Sequence, residues 1–500
     1  MAWALSLAGY AALVSFSVFG IWAIFVSIRN VYFHPLSKFP GPKSAAATPI
    51  PYVKALVTGR MVDWAMSLHA KYGPVVRTGP DELSFIGPRA WQDIYAARPQ
   101  LPKGHKGVFE SVNGVAFLGS QTITAEHTRQ RRILSHAFSE RALKEQEDIL
   151  KQYSDLLITK IGEQVEQTEK EPSVTLDITQ WYHYTAFDTI GDLLFNDPFH
   201  SLENSADHPW VAAIFDGLKF GIISTAFQFF PPSWPVVRYL IPNSIKETAV
   251  QHFSWSQDKI TRRLQTETKR PDFMTYILRH NQGADKMTRD ELDSNGAFLI
   301  LAGSETTATT CTSTTFFFLK NPAVYEKLKQ EIRDAFQSAD DINVQAAAKL
   351  PYLHAVIWEA LRLHPNGATS IPRLVDRPGV VVDGHEIPIG TRVGIPGKTM
   401  TRSPLNFVEP NTFIPERWLP DADPKFDADR KEAQEPFMVG PRNCLGKSLA
   451  WAEMNLILCK VLWHFDLELA DGNKEDWSME QKVWVLHERT PVFVKITPRR

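Results

Sequence analysis

The chain opens with a long apolar run. Residues 1–28 contain no Asp, Glu, Lys, Arg or His. About 20 consecutive apolar residues suffice for a helix to cross the hydrocarbon core of a bilayer. The alternative is a cleaved secretory signal, which has a basic n-region and a shorter apolar core of about 7–15 residues. This run has neither feature, so the pattern predicts a transmembrane anchor over 1–28.

A proline-rich hinge is predicted over residues 29–45, which include the sequence HPLSKFPGP. Proline fixes its own φ and restricts the residue before it, so this segment is expected to be stiff. The first charged residues after the apolar run are Arg29, Lys38 and Lys43. Because basic flanks tend to stay in the cytoplasm, we expect the rest of the chain to face the cytosol.

Beyond residue 45 most apolar positions recur at helical spacing. We predict long helices over 138–170, 245–268, 289–319 and 447–465. Short strand-like runs suggest three hairpins: 75–78 with 83–86, 380–382 with 392–395 through Asp383-Gly384, and 483–486 with 492–496. No repeat or composition break divides the body. The predicted fold class is therefore mainly α with a small β region, with one domain over 46–500 after one N-terminal transmembrane helix.

Composition excludes several classes of protein. Charged residues make up 22% and hydrophobic residues 44% of the chain, which argues against disorder, collagen and a polytopic membrane protein. The net charge is −2, without the basic excess of a nucleic-acid-binding protein, so no nucleic-acid partner is expected. The three cysteines are too few and too scattered for a disulfide framework.

Residues 215–242 are rich in aromatic residues and proline. Phe227, Phe229, Phe230 and Trp234 crowd around three prolines. One interpretation is a buried core segment. The other is a contact that dips into the bilayer near a substrate entrance, which the predicted anchor favours.

The strongest chemical signal has the form F-x-x-G-x-R-x-C-x-G. Its fixed residues are Phe437, Gly440, Arg442, Cys444 and Gly446. The two glycines would let the backbone approach something flat and bulky. The arginine adds a cation two residues before the cysteine.

Cys444 also lies just before the predicted helix over 447–465. Helix N-termini present free N–H groups and a positive dipole end, which stabilise a thiolate. A thiolate held in this way suits an axial iron ligand, tuned by its amide hydrogen bonds. Cys311 and Cys459 lack such neighbours and are expected to be inert buried residues.

This segment resembles the haem-binding loop of the cytochrome P-450 superfamily, the haem-thiolate monooxygenases. The sequence AGSETT at 302–307 is similar to the oxygen-activation motif of that family. It falls within the predicted helix 289–319, which a T-x-x-E capping box of Thr288 and Glu291 would start. The resemblance implies that Glu305 and Thr306 are the catalytic acid–alcohol pair.

Other parts of the chain match the family in the expected order. Glu359 and Arg362 match its E-x-x-R helix, and the later PERW sequence contains Arg417. In the family these side chains form a buried network beneath the haem loop, so we expect a structural role for them. Buried charges are tolerated when they pair in this way.

The resemblance also implies which residues bind the haem. Arg131, Arg373 and Arg442 are expected to contact the propionates, since the guanidinium fork suits carboxylates. The family has a tryptophan where this chain has His127, which could donate a hydrogen bond in its place. Phe437, Gly440 and Gly446 are expected to contact the haem, and Cys444 is expected to ligate its iron. By the same likeness, substrate would contact 100–122, 215–230, 297–302 and 367–371.

The likeness covers nearly the whole chain and is greatest to microsomal fungal enzymes of secondary metabolism. It implies heme b (iron protoporphyrin IX), a lipophilic small-molecule substrate and NADPH used through NADPH–cytochrome P-450 reductase, with cytochrome b5 as an optional second donor. It further implies a single-pass protein of the endoplasmic reticulum membrane whose catalytic domain faces the cytosol. Two alternatives stay open: a haem-thiolate isomerase or dehydratase that needs no reductase, and a non-catalytic haem sensor.

Overall fold

The computed structural model describes residues 2–104, 111–168, 172–230, 243–268 and 270–499. Most of the described chain is helical, as predicted. The α-helices are α1 Ala2–Ile28, α2 Lys43–Ala47, α3 Ile50–Val57, α4 Met61–Tyr72, α5 Ala90–Tyr95, α6 Thr124–Leu134, α7 Glu140–Glu145, α8 Glu147–Glu166, α9 Ile178–Phe195, α10 Ser201–Asn204, α11 Pro209–Gln228, α12 Asn243–Gln265, α13 Phe273–His280, α14 Arg289–Lys320, α15 Pro322–Ala335, α16 Val344–Ala347, α17 Pro351–Leu363, α18 Gly397–Thr401, α19 Lys447–His464 and α20 Trp477–Glu480.

The strands form three small sheets. In chain order the strands are β1 Val75–Gly79, β2 Glu82–Phe85, β3 Val174–Asp177, β4 Arg373–Leu374, β5 Val381–Val382, β6 His385–Glu386, β7 Arg392–Gly394, β8 Phe465–Leu469 and β9 Phe493–Pro498. The first sheet has the order β1-β2-β7-β4, the second β3-β9-β8, and the third is the β5-β6 pair. The larger hydrophobic core lies among the helices, and a smaller core packs against the first sheet.

The first predicted hairpin is confirmed, because β1 pairs antiparallel with β2. The second was paired wrongly. Asp383 and Gly384 have φ values of 49° and 80°, which suits a two-residue turn that reverses the chain at once. Val382 therefore pairs with His385, while β7 lies parallel to β2 and antiparallel to β4.

The third predicted hairpin is also wrong. Val483 forms a bridge with His487, so this segment closes on itself. Strand β9 instead lies between β3 and β8. Its residues alternate between exposed and buried positions, as expected of a strand with one face on a core.

The longest described helix, α14, begins and ends close to the predicted residues. Thr288 and Glu291 form the predicted capping box, and Asn321 is its C-cap. Its 32 residues make a rod of about 48 Å at ~1.5 Å per residue. Gly303 faces α9, where a Cβ would lie 2.7 Å from Ile190 Cδ1. Gly303 also lines the internal cavity described below, so its lack of a side chain serves both the cavity and the contact between α14 and α9.

The helix α19 spans Lys447–His464, in agreement with the prediction. The helix predicted over 138–170 is divided into α7 and α8 between Glu145 and Glu147. Residues 169 and 170 lie outside the described part of the chain.

The N-terminal helix and the hinge are joined to the first sheet. Among the described residues, one helical stretch is long and apolar enough to cross a membrane, Leu13–Phe33, which overlaps the predicted 1–28 but lies farther along the chain. Just after α1, Asn30 accepts a hydrogen bond from Arg77 Nη1 at 2.9 Å through its carbonyl oxygen. Arg77 is buried, and its backbone N–H donates to the Pro40 carbonyl at 2.7 Å. These contacts attach the hinge to β1.

The aromatic segment near residue 230 is only partly described, because 231–242, including Trp234, lie outside the described residues. Phe229 is half-buried, with its ring 5.3 Å from that of Tyr52 and 5.1 Å from the Arg392 guanidinium carbon. The described end of this segment therefore packs partly against the protein.

Candidate active site

One internal cavity collects most of the predicted site residues. It has a volume of about 400 Å³. Its wall includes Thr306 of α14 and Cys444 of the loop before α19. The other predicted site residues in the wall are His127, Arg131, Arg373, Phe437, Arg442 and Gly446.

The loop before α19 is tightly turned and directs Cys444 into the cavity. The Cys444 N–H donates to the Phe437 carbonyl at 2.8 Å. Gly440 has φ +78°, and a Cβ there would lie 2.3 Å from the Tyr95 carbonyl oxygen. Gly440 therefore permits a turn against α5 and does not line the cavity. At Gly446 a Cβ would meet no atom closer than 3.8 Å, so this backbone is open.

The Cys444 side chain is exposed to the cavity, whereas Cys311 and Cys459 are buried. Burial within the protein raises the pKa of Cys444, while the Gly446 N–H, Arg131 and Lys447 lower it in part. Burial raises the pKa of Cys311 and of Cys459 far above the usual range of a thiol. Cys444 is thus the thiol with nearby groups that stabilise the anion.

Four cations converge on the same cavity: Lys103, Arg131, Arg373 and Arg442. Within the described part of the chain, none of them has a carboxylate partner within ion-pair distance. Arg373 is 4% exposed, and its Nη1 has no hydrogen-bond partner among the described residues. Like charges buried together are unfavourable unless an anion joins them.

Burial and mutual repulsion lower the pKa values of several groups around this cavity. Burial, followed by the charge of Arg373, lowers the pKa of Arg442 to about 10. Burial and the charges of Arg373 and Arg442 lower the pKa of Lys103 to about 7. His127 is buried beside the same cluster, and burial together with the four cations lowers its pKa to about 3. Its imidazole is therefore neutral.

The residues present fit a haem. The unpartnered Arg373 nitrogen and the group of cations without carboxylates suit the propionates of a porphyrin. The exposed sulfur of Cys444, next to the open backbone at Gly446, suits a metal ligand beside a flat group. Arg131 also holds the loop, because it donates to the carbonyl and side-chain oxygens of Asn443 at 2.7 and 2.6 Å.

Thr306 and Glu305 lie on different sides of α14. Thr306 lines the cavity, and its hydroxyl donates to the Ala302 carbonyl at 2.8 Å. Glu305 is buried and does not line the cavity; its carboxylate accepts from Arg489 and contacts His183. Burial alone would raise the pKa of Glu305, but His183 and Arg489 outweigh it and lower the pKa to about 2.

The predicted buried charge network is present. Glu359, Arg362 and Arg417 are fully buried, and Glu359 pairs with both arginines at 2.7 and 3.1 Å. Arg417 also pairs with Asp429 at 2.6 Å. Through Asp429, the network reaches the chain that leads to the cysteine loop.

The sequence did not point to several residues of the site. Lys103 and Asp429 have no local motif, so only the fold reveals their partners. The same holds for Glu453, which lines the cavity and whose pKa burial raises to about 8. Each of the four ranges expected to contact substrate contributes a residue to the cavity wall: Leu118, Leu218, Phe298 and Ile371. Residues 105–110 of the first range lie outside the described residues. Val485 and Leu486 line the cavity from a segment that we did not predict.

Comparison with known proteins agrees with the family resemblance of the sequence motifs. The cytochrome P-450 family matches residues 46–495 of the chain. The chain is 40% identical over 482 residues to the cytochrome P-450 monooxygenase astJ of Aspergillus oryzae, covering 96% of this chain and 95% of astJ. It is 41% identical to the monooxygenase efuB of Hormonema carpetanum, covering 95% and 94% of the two chains. Averantin hydroxylase of Dothistroma septosporum is 37% identical, with 96% and 90% covered.

The family match extends over the cysteine loop, α14, the buried charge network and the small sheets. The relatives are fungal monooxygenases that the chain matches over nearly their full length. The chain therefore belongs to the cytochrome P-450 family of monooxygenases.

Proposed function

We propose that this chain is a membrane-anchored haem-thiolate monooxygenase of fungal secondary metabolism, which inserts one oxygen atom from dioxygen into a lipophilic small molecule. The observation that carries the proposal is a single cavity with three features: the exposed Cys444 sulfur, the Thr306 hydroxyl and a cluster of cations that have no carboxylate partner among the described residues. In this arrangement Cys444 would ligate the iron, and Arg131, Arg373, Arg442 and Lys103 would hold the propionates. The bound haem would supply the activation of dioxygen.

The protein supplies position, a dry pocket and protons. Leu118, Phe298, Leu299, Ile371 and Leu486 give the cavity apolar walls, which favour a lipophilic substrate. Monooxygenation puts one oxygen atom into the substrate and releases the other as water, so each turnover consumes two electrons and two protons. The Thr306 hydroxyl can organise water in the cavity. Glu305, the next residue in α14, is ion-paired away from the cavity and would act only through a change of its side-chain position.

The electrons are proposed to come from NADPH through a separate membrane-bound reductase, with cytochrome b5 as an optional donor. The family has this requirement, and no Gly-rich dinucleotide fingerprint occurs in the sequence. The apolar helix α1 and the basic residues after it support an endoplasmic reticulum protein with a cytosolic catalytic domain.

The test is oxygen consumption by the full-length protein with purified reductase. We expect consumption that depends on both NADPH and the reductase, and product formation with lipophilic small molecules as substrates. A haem-loaded protein that converts an organic peroxide without NADPH or reductase, and takes up no dioxygen, would be an isomerase or dehydratase. A haem-loaded protein with neither activity would be a sensor.

A further inference from the structure

The side chain of Asn366 joins the loop after α17 to the middle of α14. Its Nδ2 donates to the Thr306 carbonyl at 3.0 Å and to the Thr310 hydroxyl oxygen at 2.9 Å. A carbonyl oxygen only accepts, so the nitrogen end of the amide points to α14. Both amide hydrogens are used in these two bonds, and the amide oxygen lies on the other side.

The Oδ1 atom of Asn366 accepts no hydrogen bond from the described part of the chain, and protein atoms do not enclose it. The side chain is half-buried and lines the cavity. Because the nitrogen faces α14, the oxygen faces the open space. Asn366 Oδ1 is therefore an unused acceptor in the cavity wall.

The neighbouring hydroxyl groups of α14 have already used their hydrogens. Thr306 donates to the Ala302 carbonyl at 2.8 Å, and Thr310 donates to the Thr306 carbonyl at 2.9 Å. Among these described side chains, the wall therefore offers a ligand only lone pairs, from Asn366 Oδ1 and the Thr306 hydroxyl oxygen. A ligand meets this part of the cavity favourably when it brings its own donor.

The acceptor lies beside apolar residues. Leu361, Ile371, Val485 and Leu486 line the same cavity. The segment that carries Val485 and Leu486 lies next to the Asn366 loop, because His487 Nε2 is 3.0 Å from the Pro365 carbonyl oxygen. A few polar groups in a mostly apolar pocket fix the orientation of a ligand. Covering such an acceptor with a ligand that has no donor costs free energy.

We propose that Asn366 selects substrates that are lipophilic alcohols or phenols, by accepting a hydrogen bond from the substrate hydroxyl at Oδ1. This inference rests on the proposed function and names the class of substrate within it. An ether or a ketone would place lone pairs against lone pairs at this position, and a hydrocarbon would leave the acceptor buried and unpaired.

The test compares three probes with one ring system: 2-naphthol, 2-methylnaphthalene and 2-methoxynaphthalene. The first can donate a hydrogen bond, the second can neither donate nor accept, and the third can only accept. Dissociation constants are measured by calorimetry on the full-length haem-loaded protein, so the result does not depend on turnover. We expect the wild type to bind 2-naphthol about 10-fold more tightly than the other two probes, the size expected of one neutral hydrogen bond.

The decisive variant is Asn366→Leu, which keeps a similar side-chain volume and removes the acceptor. It should bind 2-naphthol and 2-methylnaphthalene with similar dissociation constants, chiefly through weaker binding of 2-naphthol. Glu453 is another polar residue of the cavity wall, beside Thr307. A preference for 2-naphthol that arose from Glu453, or from direct binding to the iron, would survive in Asn366→Leu and would overturn the inference.

The matched control is Asn406→Leu. The Asn406 Nδ2 also donates two hydrogen bonds, to the Ile86 and Met400 carbonyls at 2.8 and 3.0 Å, and Asn406 lies outside the cavity wall. This variant loses a comparable amide but should keep the preference for 2-naphthol. An equal loss of preference in Asn406→Leu would show a general effect of destabilisation and would contradict the role of Asn366.

The comparison of probes on the wild type decides the matter even if Asn366→Leu does not take up haem. A wild type that binds 2-methoxynaphthalene or 2-methylnaphthalene as tightly as 2-naphthol would overturn the inference. Failure of the proposed function has a different signature, because a protein that consumes no dioxygen with NADPH and reductase would refute it whatever the three probes show.

Discussion

Lys103 illustrates, at the scale of single residues, how the haem site depends on charge. Its ammonium group lines the cavity and donates a hydrogen bond to the Gly119 carbonyl. Its pKa is about 7 because burial and two arginines disfavour the charged form. No sequence motif marks this residue, since its relation to Arg373 depends on a bridge that the fold creates.

The haem-free protein should therefore gain stability as pH rises above 7. The folded-state pKa of Lys103 is about 7, below the value of about 10.4 for an unfolded chain. Between these values the unfolded state binds more protons, so the free energy of unfolding rises by up to about 1.4 kcal/mol per pH unit for this group. Denaturant unfolding at several pH values tests this. Lys103→Met should show a shallower rise, and an unchanged slope would contradict the charge assigned to Lys103.

Thr306 leads to a second prediction at this scale. Thr306→Ala should retain haem and fold normally, but more peroxide should form for each NADPH consumed because the cavity loses its hydroxyl beside α14. Thr306→Ser should restore part of the coupling. Thr312→Ala is a matched control, since its hydroxyl makes the same bond, 2.9 Å to the Ala308 carbonyl, away from the cavity. Equal peroxide yields in Thr306→Ala and Thr312→Ala would exclude a role for the Thr306 hydroxyl in proton delivery.

At the scale of elements, the sequence identified features with local causes. The capping box defines the start of α14. The Asp383-Gly384 turn is also a local signal, but it joins β5 to β6 and not, as predicted, to the strand over 392–395. Strand partners were harder to predict, because β9 pairs not only with the nearby β8 but also with β3, which lies far earlier in the chain. For the site, the cysteine motif pointed to a loop that lines the cavity, whereas Lys103 and His183 became visible only through contacts between distant elements.

The packing of α14 on α9 gives a prediction about Gly303. A Cβ at this position would approach Ile190 Cδ1 and Cγ1 at 2.7 and 2.8 Å. Gly303→Ala should lower the free energy of unfolding by about 1–3 kcal/mol, the usual cost of overpacking. Ile190→Ala removes the atoms that the new methyl group would approach. Adding Gly303→Ala to Ile190→Ala should therefore lower the free energy of unfolding by less than Gly303→Ala does in the wild type. Gly217→Ala in α11 is the control: no atom lies within 4 Å of its added methyl group, so it should be neutral or stabilising.

At the scale of the whole molecule, the apolar N-terminal helix and the catalytic body are joined through a packed hinge. Arg77 binds the Asn30 carbonyl, and the Pro40 carbonyl accepts from the Arg77 backbone. Apolar residues of α1 such as Phe16 and Trp22 are exposed on the helix surface. The hinge is thus suited to hold the body at one orientation to a bilayer.

Deleting residues 2–28 should release much of the protein from membranes while leaving haem incorporation intact, because the cavity draws no residue from α1. Fractionation of the truncated protein and its haem content measure the two effects. Residual binding is expected if the aromatic segment near 230 also contacts lipid. Full retention in membranes that persists after Phe227 and Phe230 are made polar would contradict the anchor.

The most direct test of a haem-thiolate site at Cys444 is the carbon monoxide spectrum of the reduced protein. The chain provides its own controls, because its other two cysteines, Cys311 and Cys459, are buried away from the cavity. We expect the wild type, Cys311→Ala and Cys459→Ala to give the thiolate-type absorption band, and Cys444→Ser to lose it. A haem-loaded Cys444→Ser protein with an unchanged thiolate band would show that another residue ligates the iron.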